Sequence, residues 1–156
     1  KEILNAEKSG LLEKYDNIFI DCPPSLSLLT IMALVASDEL LVPLQTEFFA
    51  LEGLTQLMKT IERIKANLNP ELEIQGILLT MYDRRNKLSS QVESEARTYF
   101  KDKVYQTVIP RNVRLSEAPS HGVPVLIYDK SCPGSKSYYN FTDEFMTQEN
   151  KIGSAA

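Results

Sequence analysis

The sequence predicts an α/β fold, a mostly parallel sheet with helices on both faces, and three observations predict it. Short apolar runs recur at residues 18–20, 39–44, 74–81, 104–109 and 123–128, each of a length that suits a strand. Between several of them lie stretches whose apolar residues return every three or four positions, the spacing of one helical face. The runs stop at prolines or polar turns, as at Pro23-Pro24, Gln45-Thr46-Glu47 and Pro110. Strand and helix therefore alternate, and alternation of this kind implies right-handed crossovers that cover both faces of a parallel sheet.

Taken in order, residues 1–15 place Ile3, Leu4, Leu11 and Leu12 at roughly helical spacing around Gly10, which reads as a helix and a turn. The run 18–20 is expected to be a buried strand that stops at Asp21, because Pro23 and Pro24 forbid its continuation. Apolar residues fill nearly every position from 26 to 35, which suits a buried helix, and strand 39–44 follows. Leu51, Leu54, Leu57, Met58, Ile61, Ile64 and Leu68 then make the clearest amphipathic helix, closed by Asn69-Pro70. After strand 74–81, Ser90 and Glu93 offer a capping box for a helix carrying Val92, Ala96, Tyr99 and Phe100. Strands 104–109 and 123–128 precede a last helix with Tyr138, Tyr139, Phe141, Phe145 and Met146. With no repeat, low-complexity tract or linker, the expected organisation is one domain, or one piece of a domain, over residues 1–149 and a frayed tail over 150–156.

The 156 residues are 43% hydrophobic and 24% charged, which is the composition of a globular chain rather than a disordered one. Cys22 and Cys132 stand far apart, outside any CxxC pattern, so the sequence points to neither a zinc site nor a disulfide framework. Every long apolar run is broken by charge or proline short of a bilayer span, and a cytoplasmic location is expected.

The net charge of −4 argues against a uniformly nucleic-acid-binding surface, yet it is unevenly spread. Residues 84–114 hold eight lysines and arginines against three acidic residues, a net +5 that leaves −9 elsewhere. Positive charge gathered on one face binds a phosphate backbone through counterion release; the alternative is a solvated helix face with ordinary ion pairs.

An apolar strand ending in aspartate is the arrangement P-loop NTPases use to orient a magnesium-bound water, since a carboxylate meets that hard cation with oxygen. Asp21 could equally start a turn or cap a helix. The longer segment Tyr15-Asp16-Asn17-Ile18-Phe19-Ile20-Asp21-Cys22-Pro23-Pro24-Ser25-Leu26 closely resembles the Walker B segment of the ParA/Soj/MinD family of deviant P-loop ATPases. Three further blocks, at residues 44–54, 79–83 and 109–122, resemble the Soj branch in the same order, so the resemblance runs from about 15 to 128.

The resemblance implies an ATPase of chromosome or plasmid partitioning: a nucleotide-gated homodimer that uses ATP and Mg²⁺, binds DNA non-specifically and is nucleoid-associated. It also implies stimulation by a ParB/Spo0J-like partner protein. On the matching positions, Asp21 would hold the magnesium-bound water and Pro23, Pro24 and Ser25 would sense the γ-phosphate. Met81 and the loop Pro110, Arg111, Asn112 would flank the adenine, although Met81 also reads as a core side chain and Pro110 as a strand terminator. Arg85 and Arg114 would contact DNA. A C-terminal membrane-binding helix like that of the MinD branch is not expected, because the end is poor in basic and apolar residues.

No G-x-x-x-x-G-K-[ST] occurs in the 156 residues, and Gly134-Ser135-Lys136-Ser137 has the wrong spacing. The expected fold is accordingly part of a P-loop NTPase without its N-terminal strand, loop and helix, and the chain alone is expected to be inactive. Two organisations fit: a portion of a partitioning ATPase, or a truncated non-catalytic homologue that pairs with a full-length ATPase or with DNA.

Overall fold

The computed structural model describes residues 14, 15, 17–23, 25 and 27–153, with side chains as far as 148. Most of the expected helix at 1–15, and Pro24, lie outside the described residues. The elements in order are α1 (Leu28–Ala36), β1 (Glu39–Gln45), α2 (Ala50–Asn67), β2 (Glu73–Tyr82), α3 (Lys87–Phe100), a 3₁₀ turn, β3 (Val104–Pro110), α4 (Val113–Glu117), a second 3₁₀ turn, α5 (Val125–Tyr128) and α6 (Pro133–Gly153). The fold is α/β: a three-stranded sheet in the order β1-β2-β3, with β2 and β3 parallel. By its contacts the chain divides into two units, Lys1–Leu40 with Gln56–Ile74, and Leu41–Thr55 with Gln75–Ala156.

The first unit is held by Leu34, Ile61, Ile64 and Leu72, with Val35, Leu40, Leu57, Met58 and Ile74 packed against them. The α2 residues in this set keep the three-four spacing legible in the sequence. Asn69, which closes the helix, is buried and donates from Nδ2 to the carbonyls of Leu34 (3.0 Å) and Ser37 (2.8 Å). It thereby satisfies acceptors that the end of α1 leaves without an intrahelical partner.

Two expectations fail in this unit. Residues 18–20 form no strand, and Ile18, Phe19 and Ile20 are exposed. An apolar run becomes a strand only where neighbouring backbone completes its ladder. In α1 only Thr30 and Leu34 are buried, while Leu28, Leu29 and Met32 are exposed, so it is not the enclosed helix its composition suggests.

The second unit has two adjoining clusters. Leu78, Tyr105 and Ile109 pack with Leu41, Leu115, Tyr138, Phe141 and Phe145, and the Tyr105 and Phe141 rings meet edge to face at 4.9 Å. Gly76 is required here, since a Cβ at this position would run into the Tyr105 ring. Ala118, Val125 and Cys132 form the other cluster. Residues 125–128 are a helical turn rather than the expected strand. Pro124 precedes it in extended conformation, and the turn sends Val125 inward while Ile127 stays exposed. The cap of α3 also differs: it starts at Lys87 behind Asn86, whose side chain accepts from the Leu88 N–H at 3.0 Å, so Ser90 lies inside the helix.

Candidate functional site

In the second unit, the C-terminal ends of β2 and β3 reach one edge. Their ladder runs to Tyr82 and Pro110, and the Arg111 N–H continues it by donating to the Tyr82 carbonyl at 2.9 Å. In a parallel pair, ligands collect beyond this end, where successive loops diverge. An open cleft of about 580 Å³ lies there, lined by Tyr82, Asp83, Arg84, Arg85, Val108, Pro110, Arg111, Pro133 and Ser137. It draws together residues expected to serve two purposes: Pro110 and Arg111 beside adenine, and Arg85 on DNA.

Met81, the last residue but one of β2, has φ at 53°. A side chain in this left-handed region costs about 1–2 kcal/mol, so surrounding contacts must impose it. The contacts are hydroxyls. Thr46 and Ser89 are buried, and Thr46 Oγ1 lies 3.2 Å from Ser89 Oγ and 3.4 Å from the carbonyls of both Thr80 and Met81. Ser89 Oγ accepts from the Asp83 N–H at 3.5 Å. This network joins the ends of β1 and β2 to the first turn of α3, and aims residues 82–85 at the cleft. Neither hydroxyl was a sequence candidate, because threonine and serine become informative only once burial is known.

Asp83 and Arg85 form a fork. The Asp83 carboxylate accepts from Arg85 Nε at 3.1 Å, Nη2 at 3.0 Å and the Arg85 backbone N–H at 3.0 Å. These bonds hold the Asp83 carboxyl down to about 2, with the charges of Arg85 and Arg111 assisting, and they raise the Arg85 guanidinium. The Arg85 side chain is nonetheless 90% exposed, so its outer face meets solvent.

Arg114 does not line the cleft. Its Nη1 donates to Glu117 at 2.8 Å and its Nε lies 3.6 Å from Asp129; the Glu117 bond and charge, then Tyr128, raise the guanidinium above its ordinary value. Glu117 also accepts from the Tyr128 hydroxyl at 3.3 Å, and the Tyr128 ring stacks on His121. Asn112 caps α4, accepting from the Arg114 N–H at 3.0 Å. Of the remaining cations in the basic stretch, Arg97 is spent on structure, pairing with Glu93 and donating to the carbonyls of Val104 and Gln106.

Asp21 and Pro23 are exposed and belong to the first unit, as does Ser25. Among the described residues Asp21 makes no hydrogen bond or ion pair, and no group of three or more His, Cys, Asp or Glu could hold a metal. A lone carboxylate fits magnesium when phosphates supply other ligands. No G-x-x-x-x-G-K-[ST] cradle for those phosphates occurs in this sequence, so the residues present do not by themselves fit the whole group. Among the described residues no helix is long and apolar enough to cross a membrane.

The fold is that of the P-loop NTPases. It matches cobyrinic acid a,c-diamide synthase from Mycobacterium smegmatis with bound ADP and magnesium at a TM-score of 0.68 and 31% identity, over 87% of this chain and 48% of that one. It also matches the septum site-determining protein MinD of Pyrococcus horikoshii, complexed with Mg-ADP, at 0.69 and 23% identity, over 93% and 54%. A family model described as an AAA domain matches residues 1–74.

Closer in sequence are the chromosome partitioning protein ParA of Caulobacter vibrioides, 62% identical over 135 residues (86% of this chain, 51% of that protein), and the sporulation initiation inhibitor protein Soj of Bacillus subtilis, 55% identical over 132 residues (85% and 52%). The chain belongs to the ParA/Soj family of chromosome-partitioning proteins, and it spans about half the length of these relatives.

Proposed function

We propose that this chain carries the DNA-contacting and adenine-flanking half of a ParA/Soj-type partitioning ATPase, a dimeric switch that works with a ParB-like partner. The observation that supports it is the cleft at the ends of β2 and β3, where Arg84, Arg85 and Arg111 converge beside Pro110. Guanidinium groups in such a cleft suit phosphate oxygens, and the apolar Val108 and Pro110 in its lining suit a base. In this reading Arg85 and Arg114 hold the DNA backbone, Pro110 and Arg111 border the adenine with Met81 nearby in the chain, Pro23 and Pro24 sense the γ-phosphate, and Asp21 orients the water on Mg²⁺. Asn112 contributes by starting α4, which carries Arg114.

Electrostatic stabilisation by a phosphate cradle and its lysine supplies most of the catalysis in phosphoryl transfer, so the 156-residue chain by itself is expected to show no ATP turnover. Its DNA binding should be sequence-independent and should weaken steeply with salt. The test is anisotropy titration of two unrelated duplexes at several salt concentrations with the chain and its Arg85→Ala/Arg114→Ala double variant. The double variant should bind both duplexes several-fold more weakly with a shallower salt slope; equal affinity and slope would remove the DNA assignment.

A further inference from the structure

Both arginines proposed to meet DNA are already engaged within the chain. Arg85 lies in a three-bond fork with Asp83, and Arg114 lies between Glu117, at 2.8 Å, and Asp129, at 3.6 Å. These are separate ion pairs, on the turn after β2 and on the short helix after β3. We infer that Asp83 and Glu117 are affinity-setting residues, internal counterions that occupy the two arginines and hold back their grip on a phosphate backbone. The inference rests on the proposed DNA reading and specifies how that same surface is tuned.

The geometry carries it in two ways. A phosphate recruits an arginine through the same planar fork of N–H groups that a carboxylate uses, so ligand and carboxylate compete for common donors. The carboxylates also remain where they are when a phosphate arrives, adding a negative charge close to the incoming backbone. Exposure makes the exchange feasible: the Arg85 side chain is 90% and the Arg114 side chain 52% accessible, and ion pairs this open contribute little to stability, so they yield to a better partner. An arrangement serving only to stiffen the loops would instead lose DNA affinity when the carboxylate charge is removed.

The experiment uses the 156-residue chain and a labelled duplex of random sequence, with anisotropy read across a salt series. Asp83→Asn and Glu117→Gln each keep an oxygen acceptor while removing the charge. Each should bind roughly threefold to tenfold more tightly than the unaltered chain at low salt, and the two together more tightly still. Asp83→Ser, which removes the carboxylate and leaves the Arg85 fork free for phosphate, should likewise bind more tightly than the parent, and it reports on the same competition if the Asn variant folds poorly.

Unchanged or weaker binding by Asp83→Asn and Glu117→Gln, alongside weaker binding by Arg85→Ala, would overturn the counterion role while leaving the DNA surface in place. Unchanged binding by Arg85→Ala and Arg114→Ala would overturn both.

Discussion

Asp83 is the side chain whose electrostatics are most distinct. Its carboxyl is held near 2, against an ordinary 3.8, chiefly by the hydrogen bonds from Arg85. Because the folded value is depressed, the fork is complete above the ordinary value and is lost as pH falls from about 4 through about 2. A carbon-detected NMR titration should place the Asp83 midpoint near 2 and move it toward 3.8 in Arg85→Ala. A midpoint near 4 in the unaltered chain would show that the fork does not persist in solution. The fork could not be read from the sequence, where Asp83 is one member of a family-like block and Arg85 one of eight cations. Burial decided the roles of Thr46 and Ser89 in the same way, since a serine inside a helix usually faces solvent.

At the level of elements, β3 stands at one end of the described strand order, and its ladder to β2 is irregular, pairing Val104 with Ile77 but Val108 with Leu79. Backbone N–H groups released by such a shift need acceptors, and α6 supplies them. The Glu144 carboxylate accepts from the N–H of Gln106 at 2.7 Å and of Thr107 at 2.8 Å. Charge-assisted bonds of this kind contribute about 1.5–3 kcal/mol where they are shielded, so Glu144→Ala should lower unfolding free energy by about 2 kcal/mol and Glu144→Gln by less. Urea denaturation measures it, and an unaltered midpoint in Glu144→Ala would mean water serves those N–H groups equally well. The aromatic stripe of α6 was legible as period, yet only its packing shows that Tyr138, Phe141 and Phe145 face inward while Tyr139 and Met146 stay exposed.

For the whole molecule, large apolar side chains stand exposed, several of them in the first unit. Leu28 and Leu29 are each 72% exposed, and Phe19 is 71% exposed. Exposed apolar groups this close in sequence favour association between chains. Sedimentation should show concentration-dependent self-association of the 156-residue chain, reduced when Leu28 and Leu29 are both replaced by serine. A monomer at all concentrations would show that the surface is too small or too divided to drive association.

The sequence by itself determined what depends on near neighbours: the period of α2, the strand character of 39–44, 74–81 and 104–109, and the ordered blocks that place the chain among the ParA/Soj proteins. Tertiary structure alone decided what depends on distant partners. It turned 125–128 into a helical turn that seats Val125 against Ala118 and Cys132, and it brought Asp129 to within 3.6 Å of Arg114. A four-residue apolar run is compatible with strand or helix until the surface it must cover is known, and a charge has no assigned role until its counterion is placed.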